Sequence, residues 1–137
     1  MITIPYTALL DKNGKKIDTA PFARVQLNYK KTHKVTAPIS ALIDSGSSVC
    51  FCREMIGAWL GIQLDKIKEE EFKGINRSSF HAKPAMVNLI AYGKTYECKF
   101  FFTEDLPPHA PIILGQRGFF DHFKITFDRS NNQIILD

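Results

Sequence analysis

Long apolar runs are missing from this sequence of 137 residues: nowhere does it hold the roughly 18 consecutive apolar positions that a membrane-crossing helix needs. The start of the chain also lacks the basic segment, apolar centre and small-residue cleavage site of a secretory signal, so a soluble, cytoplasmic chain is expected. Cysteine is scarce. Cys50, Cys52 and Cys98 cannot all pair within one chain, and Cys50 and Cys52 would share one face of a strand, which suits a reducing compartment. His33, His81, His109 and His122 do not cluster near the cysteines in sequence, so no metal is expected. A strong charge of one sign is absent too, with 18 basic against 14 acidic residues. The basic residues gather in short groups, such as Lys30, Lys31 and Lys34, that coincide with turn-like segments. They read as solvated loops, and no nucleic-acid partner is expected.

Helical periodicity is equally sparse, whereas strand pattern is common. Apolar residues make up 45% and charged residues 23%, ordinary for a folded domain, and the length suits a single domain over residues 1–137. Residues 2–10 and 22–29 are rich in β-branched and aromatic residues, and Asn13-Gly14 between them is a tight-turn dipeptide, so the chain is expected to open as a β-meander. Val35 to Ile43 reads as a strand interrupted by Pro38. In "REMIGAWLG", Met55, Ile56, Trp59 and Leu60 recur at helical spacing, and "QRGFFDHF" at 116–123 reads as a second short helix. Residues 70–102 read as two hairpins, one turning near Gly74 to Ser79 and one at Tyr92-Gly93-Lys94. Residues 124–136 read as a closing hairpin turning at Asp128 to Asn132. About nine strands and two short helices, with no repeated β-helix-β crossover, imply a mostly antiparallel barrel or sandwich. Trp59 and the run Phe100 to Phe102 are expected in the core.

The chemistry concentrates in "ALIDSGSSV", residues 41–49, where an apolar strand runs straight into an acid. A carboxylate there is costly unless donors receive its charge. Ser45, Ser47 and Ser48 offer hydroxyls, the turn offers backbone N–H groups, and Gly46 lets backbone approach closely. "ALIDSG" and "PIILGQ" look like paired apolar strands, each ending in a glycine turn.

The segment "ALIDSGSSVCFCREMIGAWLGI" resembles the catalytic region of the retropepsin-like aspartic proteases, in which an apolar strand ends in Asp-Thr/Ser-Gly-Ala/Ser. "PIILGQRGFF" at 111–120 is similar to that family's second signature, and "FKITFDRSNNQIIL" to its closing hairpin, so the likeness runs from about residue 35 to 137. It implies an all-β, closed retropepsin-like barrel or sandwich with one or two short helices, acting as a homodimer without a cofactor on protein or peptide substrates.

Position by position, the resemblance makes Asp44 the catalytic acid or base, with the second carboxyl supplied by Asp44 of another copy. It implies that the Ser45 hydroxyl bonds across the dimer axis and that Gly46 orients the carboxylate and receives substrate backbone nearby. Ser47 would donate to the outer oxygen of Asp44, and such a bond favours the ionised form, so an acidic activity optimum is expected. Gly74, Ile75 and Asn76 fall at the tip of the hairpin that would serve as the flap. Either terminal strand, "ITIPY" or "QIILD", would tie the dimer together. The rival expectation is a dimeric peptide-binding or assembly module that keeps the fold without catalysis.

Overall fold

The structure, a computed structural model, describes residues 1–74 and 76–137. Its first segment is not the expected meander. Ile2–Pro5 (β1) and Thr7–Leu10 (β2) are separate strands divided at Tyr6, and only β2 pairs with Lys16–Ala20 (β3), through the Asn13-Gly14 turn. Pro21, which has no N–H to donate, separates β3 from Phe22–Tyr29 (β4), and the two do not pair. β1 leaves for the other end of the chain. It pairs with Gln133–Leu136 (β13), which pairs in turn with Ile125–Asp128 (β12) in the expected closing hairpin. That hairpin turns through a 3₁₀ turn at Arg129–Asn131 and a left-handed Asn132.

A six-stranded closed barrel forms the body. Its remaining strands are Ile39–Ile43 (β6), Cys50–Arg53 (β7), Ser79–Ala91 (β9), Lys94–Thr103 (β10) and Ile112–Leu114 (β11). The order β4-β6-β11-β7-β10-β9 returns to β4 through a β4–β9 pairing. Closure leaves the body no open edge, and short strands flank it: Lys34–Val35 (β5) on β4, and Glu70–Lys73 (β8) on β9. Pro38 interrupts the run between β5 and β6 as its sequence implies. Two barrel pairs are parallel, β6 with β11 and β7 with β10, and the first of these places the ends of β6 and β11 side by side.

Alternation sorts the side chains. Phe100 and Phe102 of β10 point into the main core, while Phe101 faces the other way into a second apolar cluster. The one α-helix among the described residues, Glu54–Trp59 (α1), turns an unexpected face inward: Gly57 and the following Leu60 are buried, whereas Met55 is 69% and Trp59 53% exposed. Trp59 is therefore not a core residue. The second expected helix does not form. Arg117 bridges to Val49 and residues 118–122 are consecutive turns that start at Gly118, whose φ of +106° lies outside helical space, and the Asp121 carboxylate accepts from the Gly118 N–H at 3.1 Å.

Candidate functional site

β6 and β11 run parallel in the register Ala41–Ile112, Leu42–Ile113, Ile43–Leu114, so the pairing of the two similar apolar strands holds residue for residue. Asp44 emerges where this pair ends. Its N–H donates to the Leu114 carbonyl at 2.9 Å, which continues the ladder by one step and fixes the Cα of a half-buried carboxylate. The chain then reverses. The Ser47 N–H donates to the Asp44 carbonyl at 3.2 Å, closing a β-turn over Asp44-Ser45-Gly46-Ser47. Inside the turn the Gly46 N–H donates to Asp44 Oδ1 at 2.9 Å.

This backbone donor does for the carboxylate what was expected of Ser47. The Ser47 hydroxyl donates instead to the Val49 carbonyl at 2.7 Å, two residues ahead, where a short side chain reaches its own backbone more easily than it reaches Asp44. Ser45 and Gly46 are exposed.

The residues after β11 hold this loop from the other side. The Gln116 N–H donates to the Ser47 carbonyl at 2.9 Å and the Arg117 N–H to the Ser48 carbonyl at 3.0 Å. The Gln116 side chain donates through Nε2 to the Ser45 carbonyl at 2.7 Å. Gly115 is required for so close an approach, because a Cβ there would lie 2.6 Å from the Ser47 carbonyl oxygen and collide with that of Val49. Leu114, Gly115 and Gln116 therefore belong to the site. The "PIILGQ" pattern marked their segment, but no signal in the sequence marked the glutamine amide.

Asp121 and Asp128 are committed to turns. Asp121 accepts from Gly118 and stands 3.7 Å from His122 Nε2. Asp128 accepts from the side chains of Asn131, Ser130 and Gln133, and these hydrogen bonds, Asn131 first, hold its carboxyl below the ordinary carboxylate range.

The hairpin expected as a flap is present as β8 and β9, in the register Glu70–Ala82 to Lys73–Ser79. Its turn is closed by the Gly74 N–H on the Ser78 carbonyl at 2.8 Å, and the Asn76 side chain accepts from the Ser78 N–H at 3.1 Å. Ile75 lies outside the described residues. Gly74 and Asn76 make no hydrogen bond to the Asp44 loop among the described residues. Apolar packing connects the two instead: Phe72 and Phe80 of the hairpin stack on each other at 5.6 Å and meet Phe51 and Phe101 of the barrel at 5.1 to 5.6 Å. Val49, at the end of the Asp44 loop, and Ile113 of β11 pack on the same cluster.

A concavity of about 710 Å³ lies elsewhere, between Tyr29, Lys31, Lys66 and Met86, and is not lined by Asp44. Among the described residues no group of three His, Cys, Asp or Glu is placed to hold a metal ion, and no helix is long and apolar enough to cross a membrane.

No protein-family model matches the sequence, and no curated protein matches it. The fold is similar to the crystal structure of a retropepsin-like aspartic protease from Rickettsia conorii, with a TM-score of 0.59 and 20% identity, over 98% of this chain and 89% of that one. The chain thus has a retropepsin-like fold.

Proposed function

We propose that this protein is an aspartic endopeptidase, active as a homodimer in which two copies of Asp44 form the catalytic pair. The observation that carries the reading is the placement of Asp44. It is a half-buried carboxylate at the end of two parallel strands, with one oxygen held by the Gly46 N–H and its loop clamped by Gly115 and Gln116. Peptide hydrolysis by carboxyl groups needs two of them sharing a water. One, ionised, takes a proton from the water as it attacks the carbonyl carbon, while the other, protonated, donates to the carbonyl oxygen. The chain holds one Asp-Ser-Gly, so the second acid comes from a second copy related by two-fold symmetry.

In that pair Ser45, exposed in the single chain, is free to bond across the axis, and Gly46 leaves room for substrate backbone. The β8–β9 hairpin, with Gly74 and Asn76 at its turn, closes over the substrate. Its aromatic base, with Val49 and Ile113, offers apolar contact to substrate side chains.

The test is incubation with a complex peptide mixture from pH 3 to 8, with cut sites identified by mass spectrometry, beside Asp44→Asn. Cleavage between bulky apolar residues, strongest on the acidic side and lost in Asp44→Asn, is the expected result. Cleavage that survives in Asp44→Asn, or no cleavage by a protein shown to be dimeric, overturns it. The second outcome points to the peptide-binding module.

A further inference from the structure

Gln116 and Asp44 are joined through a single peptide group. Gln116 Nε2 donates to the Ser45 carbonyl at 2.7 Å, and the N–H at the other end of that same peptide, on Gly46, donates to Asp44 Oδ1 at 2.9 Å. A peptide group is planar, so holding the direction of its C=O also holds the direction of its N–H. A donor on the carbonyl further polarises the unit and strengthens its N–H as a donor.

This peptide is the one in the loop that most needs holding. It is the central peptide of the β-turn from Asp44 to Ser47, and the two common turn types differ by a flip of that peptide. Glycine at the third position, here Gly46, makes the flipped form accessible at little cost. A flip would swing the Gly46 N–H away from Asp44 Oδ1 and turn the Ser45 carbonyl towards it. Backbone donors hold the carbonyls of Asp44, Ser47 and Ser48, whereas the Ser45 carbonyl is held by a side chain, that of Gln116.

We infer that Gln116 is a positioning residue for Asp44, keeping the 45–46 peptide unflipped so that its N–H stays on the carboxylate. The catalytic consequence rests on the protease reading, while the peptide geometry does not. The charged side chain nearest in the clamping segment, Arg117, lines a separate concavity with Glu97, Lys99, Asp121 and His122. Residues 45–49 of the loop carry no charged side chain, and from the proposed second copy the group that meets Asp44 is the matching Asp44.

The experiment compares the wild type with Gln116→Met, which cannot donate, and Gln116→Glu, whose introduced carboxyl can donate only when protonated. The Gly46 amide is followed by ¹H–¹⁵N NMR and hydrogen exchange, with the wild-type pH series as reference. Gln116→Met is expected to move the Gly46 proton resonance upfield and to speed its exchange roughly tenfold, leaving the Asp44 amide unchanged. Gln116→Glu should match Gln116→Met at pH 7 and return towards the wild type as the pH falls below about 4. On a peptide cleaved by the wild type, kcat should fall about tenfold with KM nearly constant, and Gln116→Glu should regain relative activity on acidification.

A Gly46 amide that ignores both substitutions overturns the inference. So does a Gln116→Glu protein that shows no change with pH relative to the wild type, a comparison made within one folded protein. A wild type without Asp44-dependent cleavage removes the protease reading, and the Gly46 amide still decides the role of Gln116.

Discussion

Cys50, Cys52 and Cys98 are all buried, and burial dominates their acidity. It pushes Cys50 and Cys98 up to about 12 from an ordinary 9.0, and Cys52 upward still further, although the Gly115 N–H on Cys50 Sγ opposes the shift in part. Burial also raises Tyr96, whose hydroxyl donates to the Gly118 carbonyl at 2.7 Å. The folded chain thus favours the protonated thiols more than the unfolded chain does. Their contribution to stability is fully present below the ordinary thiol value and is lost as pH rises from about 9 to about 12. Urea midpoints should therefore hold level between pH 7 and 9 and fall steeply by pH 11, and native thiols should resist a thiol reagent at pH 8 until the chain is unfolded. Rapid labelling of the native protein would contradict this. At this scale the sequence exposed Asp44, because an acid ending an apolar strand is costly without donors. It did not expose which atom supplies the hydrogen bond. Ser47 and Gly46 are equally plausible donors until the turn geometry selects the backbone N–H.

At the scale of elements, α1 separates periodicity from orientation. Met55, Ile56, Trp59 and Leu60 announce a helix, yet the residue it buries is Gly57, where a Cβ would lie 2.7 Å from Phe102 Cδ1. Phe102 is fully buried, so its ring has little room to yield. Gly57→Ala gains up to about 1 kcal/mol of helix propensity. Overpacking against a rigid ring costs about 1–3 kcal/mol, and the clash should win. A lower urea midpoint for Gly57→Ala is expected, whereas Trp59→Gln on the exposed face should stay within about 0.5 kcal/mol of the wild type. A Gly57→Ala protein as stable as the wild type would show that the helix can shift outward. The unformed helix at 116–123 belongs to the same lesson. Its apolar residues satisfy helical spacing, but Gly118 adopts a positive φ and the following turns take hydrogen bonds across five residues, Phe120 to Gly115 and Asp121 to Gln116.

For the whole molecule, the proposed chemistry makes activity a property of a pair. Equimolar wild type and Asp44→Asn, allowed to exchange subunits, should leave about a quarter of the dimers with two intact acids, and activity should fall well below half of that of an all-wild-type sample at the same total concentration. Dilution of the wild type should lower its specific activity as dimers dissociate. Activity that simply tracks the amount of wild-type chain would mean that a single copy suffices. The terminal strands bear on the same question, because β1 and β13 are already paired with each other within one chain, so an interface built from them adds to an existing sheet.

Local residue chemistry determined a good deal by itself: an all-β chain, the hairpins at Asn13-Gly14 and Tyr92-Gly93, the break at Pro38, the pairing of "ALIDSG" with "PIILGQ", and the candidate acid Asp44. Each follows from a pattern spanning a few residues, whether strand alternation, turn dipeptides, a missing N–H or an acid after apolar positions. Tertiary structure alone decided that β1 pairs with β13, that β4 and β9 close the barrel, that Gly57 faces the core, and that the Gln116 amide reaches Ser45. These are meetings of residues far apart in the chain, or of one face of an element with its neighbours. Many partners of equal local merit compete for them, and only simultaneous packing and hydrogen-bond satisfaction across the closed barrel select one.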